Sequence, residues 1–133
     1  MKDRWKVITV MMVMLMMLAG CSRYSSRYNA VDFTQRIDNN SASVKFTSFE
    51  GTFVFRLKTE RSEGEIHYQG NLDTGSITVY YDYIGAKEKL FTLSGGNTVD
   101  STGGYIEKGI VNIIIESNGE CSGGDFQITI DSD

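Results

Sequence analysis

The chain has 133 residues, a formal net charge of −4 and an apolar fraction of 41%, which suits one small folded domain with one core. The acidic balance also argues against a nucleic-acid partner, which needs a basic face. With one histidine and two cysteines in all, there is little to build a multi-ligand metal site or a nucleophile–base pair.

The N-terminus comes first in chain order. Lys2, Arg4 and Lys6 form a basic stretch. A Met-rich apolar run follows from Val7 to Ala19, interrupted only by Thr9 and short for a comfortable bilayer span. It ends in Leu18-Ala19-Gly20-Cys21. This order resembles the secretory signal and lipobox of bacterial lipoproteins. The resemblance implies cleavage between Gly20 and Cys21, so that residues 1–20 are a signal peptide. It also implies acylation of the Cys21 thiol, since the thioether needs a nucleophilic sulfur. Two or three acyl chains hold a protein on a membrane stably, whereas one is marginal at roughly 0.8 kcal/mol per buried methylene. The expected location is therefore the extracytoplasmic face of the cell membrane. Ser22 stands where an aspartate would retain a lipoprotein in the inner membrane. In a two-membrane cell the outer membrane is thus also open.

Removal of residues 1–20 takes away every Met and the only Trp, and leaves ten basic against sixteen acidic residues, a net charge of −6. Such a domain is expected to stand off an anionic membrane. Once Cys21 is acylated, Cys121 remains alone, so no internal disulfide is expected. An inert buried thiol is favoured over pairing with another molecule.

Residues 21–42 read as the lipidated cysteine and a flexible tether, with an r.m.s. reach of roughly 25 Å. Val31 to Ile37 is an apolar island within it, either a helical turn or an edge strand. From residue 43 to 133 the pattern has period two, as half-buried strands require. Val44 and Phe46 alternate with Lys45 and Thr47; Phe53, Phe55 and Leu57 with Val54, Arg56 and Lys58. Ile66, Tyr68 and Leu72 share one parity, and Ile77, Val79 and Tyr81 another. Leu90–Leu93, Val111–Ile115 and Phe126–Ile130 complete the set. Turn signals lie at Asp73-Thr74-Gly75, Ser94–Asn97, Ser101–Gly104, Ser117–Gly119 and Ser122–Gly124, and Asn71–Ser76 reads as a hairpin. Seven or eight such strands predict an all-β antiparallel sandwich, Ig-like or jelly-roll, with strand order open and a small barrel as the alternative.

The stretches Gly103-Gly104-Tyr105-Ile106 and Gly124-Asp125-Phe126-Gln127-Ile128 resemble the closing strands of small exported lipoproteins of Gram-positive bacteria whose function is unassigned. That resemblance implies a β-domain and transfers no functional residue.

Catalytic chemistry finds no support: neither His67 nor Cys121 has a nucleophile-elbow context, and no enzyme activity is expected. Glu65 and His67 share a strand face at i, i+2, a spacing that suits two metal ligands but more often marks a solvated face. No cofactor is expected. Structural calcium is the one candidate, on Asp73, Asp100, Glu116, Glu120 and Asp125, which have no EF-hand spacing. Tyr80, opposite the core parity, and Tyr105, beside a Gly-rich turn, are the candidate ligand-binding residues, because sugar rings stack on exposed aromatics. The expected function is a non-catalytic interaction domain for another envelope protein, with a cell-wall or carbohydrate-binding module as the alternative.

Overall fold

The computed structural model describes residues 24–59, 64–83, 85–107 and 109–130. Every element among them is a strand: β1 (Arg27–Val31), β2 (Thr34–Ile37), β3 (Ser41–Thr59), β4 (Gly64–Leu72), β5 (Ser76–Asp82), β6 (Lys87–Ser94), β7 (Asn97–Ile106), β8 (Gly109–Ser117) and β9 (Cys121–Ile130). All pairings are antiparallel. The cause is the alternation itself. Most strands have one parity of Phe, Ile, Leu, Val or Tyr and one made mainly of polar residues, so they bury one face and hydrate the other.

The register shows how the strands are joined. Thr52 pairs with Arg27 and with Glu116, and Ser48 pairs with Val31 and with Ser122. Since β1 is one strand along one edge of β3, both β8 and β9 lie along its other edge. β8 and β9 are therefore one long passage, from Gly109 opposite Thr59 to Thr129 opposite Ser41. By the same reasoning β4–β5 is one passage laid along β9–β8, and β6–β7 one passage laid along β5–β4. Four long passages, plus the β1–β2 segment on the edge of β3, form a single sheet. That sheet is folded double, which is the jelly-roll arrangement. One leaf has the order β6-β5-β8-β3, using Thr52–Thr59 of β3. The other has the order β2-β3-β9-β4-β7, using Ser41–Phe49.

The fold line crosses each passage at a glycine with positive φ: Gly51 (126°), Gly75 (92°), Gly96 (85°) and Gly119 (80°). A side chain is strained in that region, so glycine lets each passage turn without losing its neighbours. Bonds across the line hold the passages in step. The Gly51 N–H donates to Ser117 Oγ at 2.7 Å, that of Gly95 to the Gly75 carbonyl at 2.7 Å, and that of Asn118 to the Ser76 carbonyl at 2.9 Å.

Between the leaves lies one core. Phe91 of the first leaf stacks on Tyr68 of the second, 4.4 Å between centroids, and lies 6.4 Å from Phe126. Ile66, Ile77, Val79, Ile106, Ile113 and Ile128 fill the rest and are at most 1% exposed. Burial of each such side chain stabilises by roughly 1.5–3 kcal/mol. At the β3 edge, Tyr28 and Phe33 pack on Phe49 and Phe53. Gly124 lies inside β9, where a Cβ would enter the Phe46 ring. It is a strand glycine that makes room for an aromatic.

Several expectations are corrected here. Arg27–Val31 and Thr34–Ile37 form strands on the edge of β3 rather than a flexible tether, which for Val31–Ile37 is the edge-strand alternative, because their backbone completes a ladder, Phe33 packs on the core and Tyr28 lies against Phe49 and Phe53. The folded domain therefore starts well before residue 43. Asn71–Ser76 is no hairpin: β4 and β5 run end to end along β9 and β8, and Thr74 pairs with Ser122. The glycines of 101–104 and 122–124 lie within β7 and β9. The signal segment, with Gly20 and Cys21, lies outside the described residues.

Gly124→Ala is expected to cost about 1–3 kcal/mol in denaturant unfolding, the range of overpacking. Adding Phe46→Leu should restore part of that loss. Thr102→Ala, on an exposed face, should change stability by no more than about 0.5 kcal/mol.

Candidate functional site

The outward parity of the second leaf is polar on all five strands, and the register places its side chains in rows. One row runs Arg36, Ser43, Gln127, Gln69, Asp100 from β2 to β7. On one side of it lies Lys45, Asp125, Asn71, Thr98, and on the other Ser41, Thr129, His67, Thr102. Strands sit about 4.8 Å apart, so the middle row spans roughly 19 Å.

Two hollows indent this face and meet at Gln127. One, about 300 Å³, lies over β4, β7 and β9, with Gln69, Asn71, Asp100 and Asp125 on its walls. The other, about 360 Å³, lies over β2, β3 and β9, with Arg36, Asp38, Ser43 and Thr129. Gln69 Nε2 donates to Gln127 Oε1 at 2.6 Å, which fixes both amides and leaves their remaining donors and acceptors turned to solvent. Arg36 lies 3.6 Å from Asp38, both largely exposed. Amides, carboxylates and hydroxyls in alternation can both give and accept hydrogen bonds over the whole face. No large apolar side chain stands in these three rows.

The residues singled out from sequence are scattered. Tyr105 is 56% exposed on the outer face of the second leaf, opposite Glu65 and one end of the polar rows. Tyr80 is half-buried on the outer face of the first leaf, with Lys87 Nζ 4.2 Å from its ring centroid. The two tyrosines thus belong to opposite sides of the sandwich and form no common platform. His67 is exposed beside Thr129, whereas Cys121 is fully buried eight residues earlier on β9, roughly 26 Å away along the strand. They make no dyad. Among the described residues no three of His, Cys, Asp or Glu gather as metal ligands. Glu116 of the proposed calcium set instead bonds Lys87 Nζ at 2.7 Å.

Gln69, Asn71 and Gln127 were not singled out from sequence, and Asp100 and Asp125 only as calcium candidates. Their outward parity was legible, at Gln69 against Ile66 and Tyr68 and at Gln127 against Phe126 and Ile128. The missing information was that β4 and β9, more than 50 residues apart in sequence, are neighbours.

No family model matches the chain, and no curated protein matches it. Among solved structures it is similar to a family 4 carbohydrate-binding module, "CBM4 structure and function" (13% identity, 82% of this chain and 81% of that one, TM-score 0.45). It is similar also to TmCBM61 in complex with β-1,4-galactotriose (15%, 80% and 83%, TM-score 0.42). A third is the pre-peptidase C-terminal domain of collagenase from Bacillus anthracis (12%, 70% and 89%, TM-score 0.46). With TM-scores below 0.5, these likenesses carry no ligand over to this chain.

Two titrating groups report on the fold beneath the site. Tyr81 donates to Glu88 Oε2 at 2.7 Å, and that bond, with burial, raises its pKa to about 12. Burial likewise raises Cys121, whose Sγ donates to the Ser76 carbonyl. An ultraviolet titration is expected to show one tyrosinate component near 12 that Tyr81→Phe removes. Unfolded tyrosine ionises near 10, so this contribution to stability is complete below pH 10 and is lost as pH rises towards 12. A Tyr81→Phe protein that shows the same decline would refute it. In a Cys21→Ser protein, native Cys121 should leave Ellman's reagent unreacted until denaturant exposes it.

Proposed function

We propose that this chain is an exported lipoprotein, cleaved after Gly20 and acylated at Cys21, whose β-domain is a non-catalytic module for a carbohydrate chain. The supporting observation is the polar face of the second leaf. Rows of amide, carboxylate and hydroxyl side chains span five strands, indented by two adjoining hollows and flanked at one end by exposed Tyr105. Polyhydroxylated ligands need many donors and acceptors at once, and this face offers both along roughly 19 Å. A protein partner is served less well, since interface energy concentrates in buried aromatic and apolar anchors that these rows lack. Nucleic acid is disfavoured by Asp38, Asp100 and Asp125.

The site proposed here differs from one built on both tyrosines. Tyr105 belongs to it as an end platform, and Tyr80 lies on the other side of the molecule.

The test is affinity electrophoresis of the protein in gels containing soluble polysaccharides, with co-sedimentation on purified cell-wall sacculi. Retardation or co-sedimentation is expected. Gln127→Ala and Asp100→Ala should each weaken binding about tenfold, the equivalent of one lost hydrogen bond of about 1.4 kcal/mol. Tyr80→Ala should leave it unchanged. Binding that survives both row variants and is lost with Tyr80→Ala would overturn the assignment. Absence of glycan binding, together with a single crosslinked membrane protein, would replace it with a protein-interaction domain.

A further inference from the structure

The first leaf carries a different outer face. By register it presents Val54, Arg56 and Lys58 on β3, Ile110, Asn112 and Ile114 on β8, Tyr80 and Asp82 on β5, and Lys87 and Lys89 on β6. Arg56, Lys58, Lys87 and Lys89 are exposed, as is Ile110 at 52%. Of the carboxylates here, Asp82 is buried and Glu116 is engaged by Lys87. In a protein whose mature charge is −6, this face is basic.

The N-terminal segment crosses the same face. Ser26 Oγ accepts from the Val54 N–H at 2.9 Å. The Tyr24 hydroxyl donates to Asp82 on β5, so its side chain reaches past β8. Ile114, on β8 between β3 and β5, is 1% exposed although it points away from the core between the leaves. Asp82 also accepts the Gly85 N–H at 2.7 Å. Tyr24 is thus fastened to the domain, and only three residue steps, roughly 10 Å of chain, separate it from Cys21.

We propose that the outer face of the first leaf lies against anionic lipid headgroups, with the polar face of the second leaf turned away from the membrane. The proposal rests on acylation of Cys21. Given that anchor, the chain enters the domain at the basic face and is too short to let the domain roll over. Lys58, Lys89 and Arg56 then lie within about one Debye length, 8–10 Å, of the lipid charge. Ile110 stands among them as an apolar contact. This reverses the expectation that an acidic domain stands off the surface, because net charge hides how the charge is distributed.

The experiment uses the full chain, processed in bacteria and reconstituted into vesicles of phosphatidylglycerol mixed with phosphatidylcholine. A fluorophore is placed on Ile110→Cys or, on the opposite face, on Thr102→Cys; buried Cys121 stays unlabelled. Quenching by a headgroup-attached nitroxide lipid is measured, and the mass of the N-terminal peptide is read in parallel. The expected result is a diacylglyceryl-modified Cys21 and several-fold stronger quenching at Ile110→Cys than at Thr102→Cys. That ratio should fall in phosphatidylcholine alone and in Lys58→Glu/Lys89→Glu but stay above unity, because the short anchor still holds this face towards the membrane. Equal quenching at both positions on a lipidated protein overturns the orientation and leaves the anchor standing. An unmodified Cys21 overturns the anchor, and the orientation with it.

Discussion

The structure depends on backbone ladders that continue through a fold. Four passages keep their neighbours from one leaf to the other, so neither leaf is an independent sheet that happens to pack on a second. The ladder that sets the strand spacing on one side sets it on the other. The glycines of the fold line make this continuity feasible, and Phe91 against Tyr68 and Phe126 closes the two halves. The polar rows inherit their order from the same ladders. Gln69 meets Gln127 because β4 and β9 are in register, just as Tyr68 faces Ile128 on the buried side.

From this continuity follows a division of labour between the two outer faces. Each leaf buries one parity and exposes the other, so the molecule has two solvent faces with independent chemistry. One is amide- and carboxylate-rich and indented. The other is basic, carries a small apolar centre at Ile114, and is crossed by the N-terminal segment. The same alternation that builds the core thus supplies two outer faces of different chemistry.

Much of this was legible before the fold was known. Period-two alternation gave the strands and the all-β sandwich, and the parity of Val79 against Tyr80 placed each side chain on the correct face. The local signals failed where one residue type serves two physical ends. Gly124 reads as turn chemistry, yet it makes room for the Phe46 ring. Asp73-Thr74-Gly75 reads as a hairpin, yet it is a corner in a strand that goes on. β7, with Asn97-Thr98-Val99-Asp100 and two glycines, reads as loop, because an edge strand needs few apolar residues to hold it. The candidate site was least legible, since its residues come from five strands whose order is set only by long-range pairing.

The β1 ladder has a mechanical meaning. Five residues, Arg27 to Val31, join the segment nearest the N-terminus to β3, and β2 continues along the same edge. Tension applied to the chain ahead of Tyr24 is borne first by that side chain and Ser26, then by this short edge ladder. The pairs between β3 and the β8–β9 passage come afterwards. Edge bonds loaded from one end open in sequence, while the inner passages stay locked together by neighbours on both sides. The domain therefore has an N-terminal edge strip that opens before its inner ladders do. It can lengthen by the span of β1 and β2 under load while the polar face keeps the strand order of β3, β9, β4 and β7.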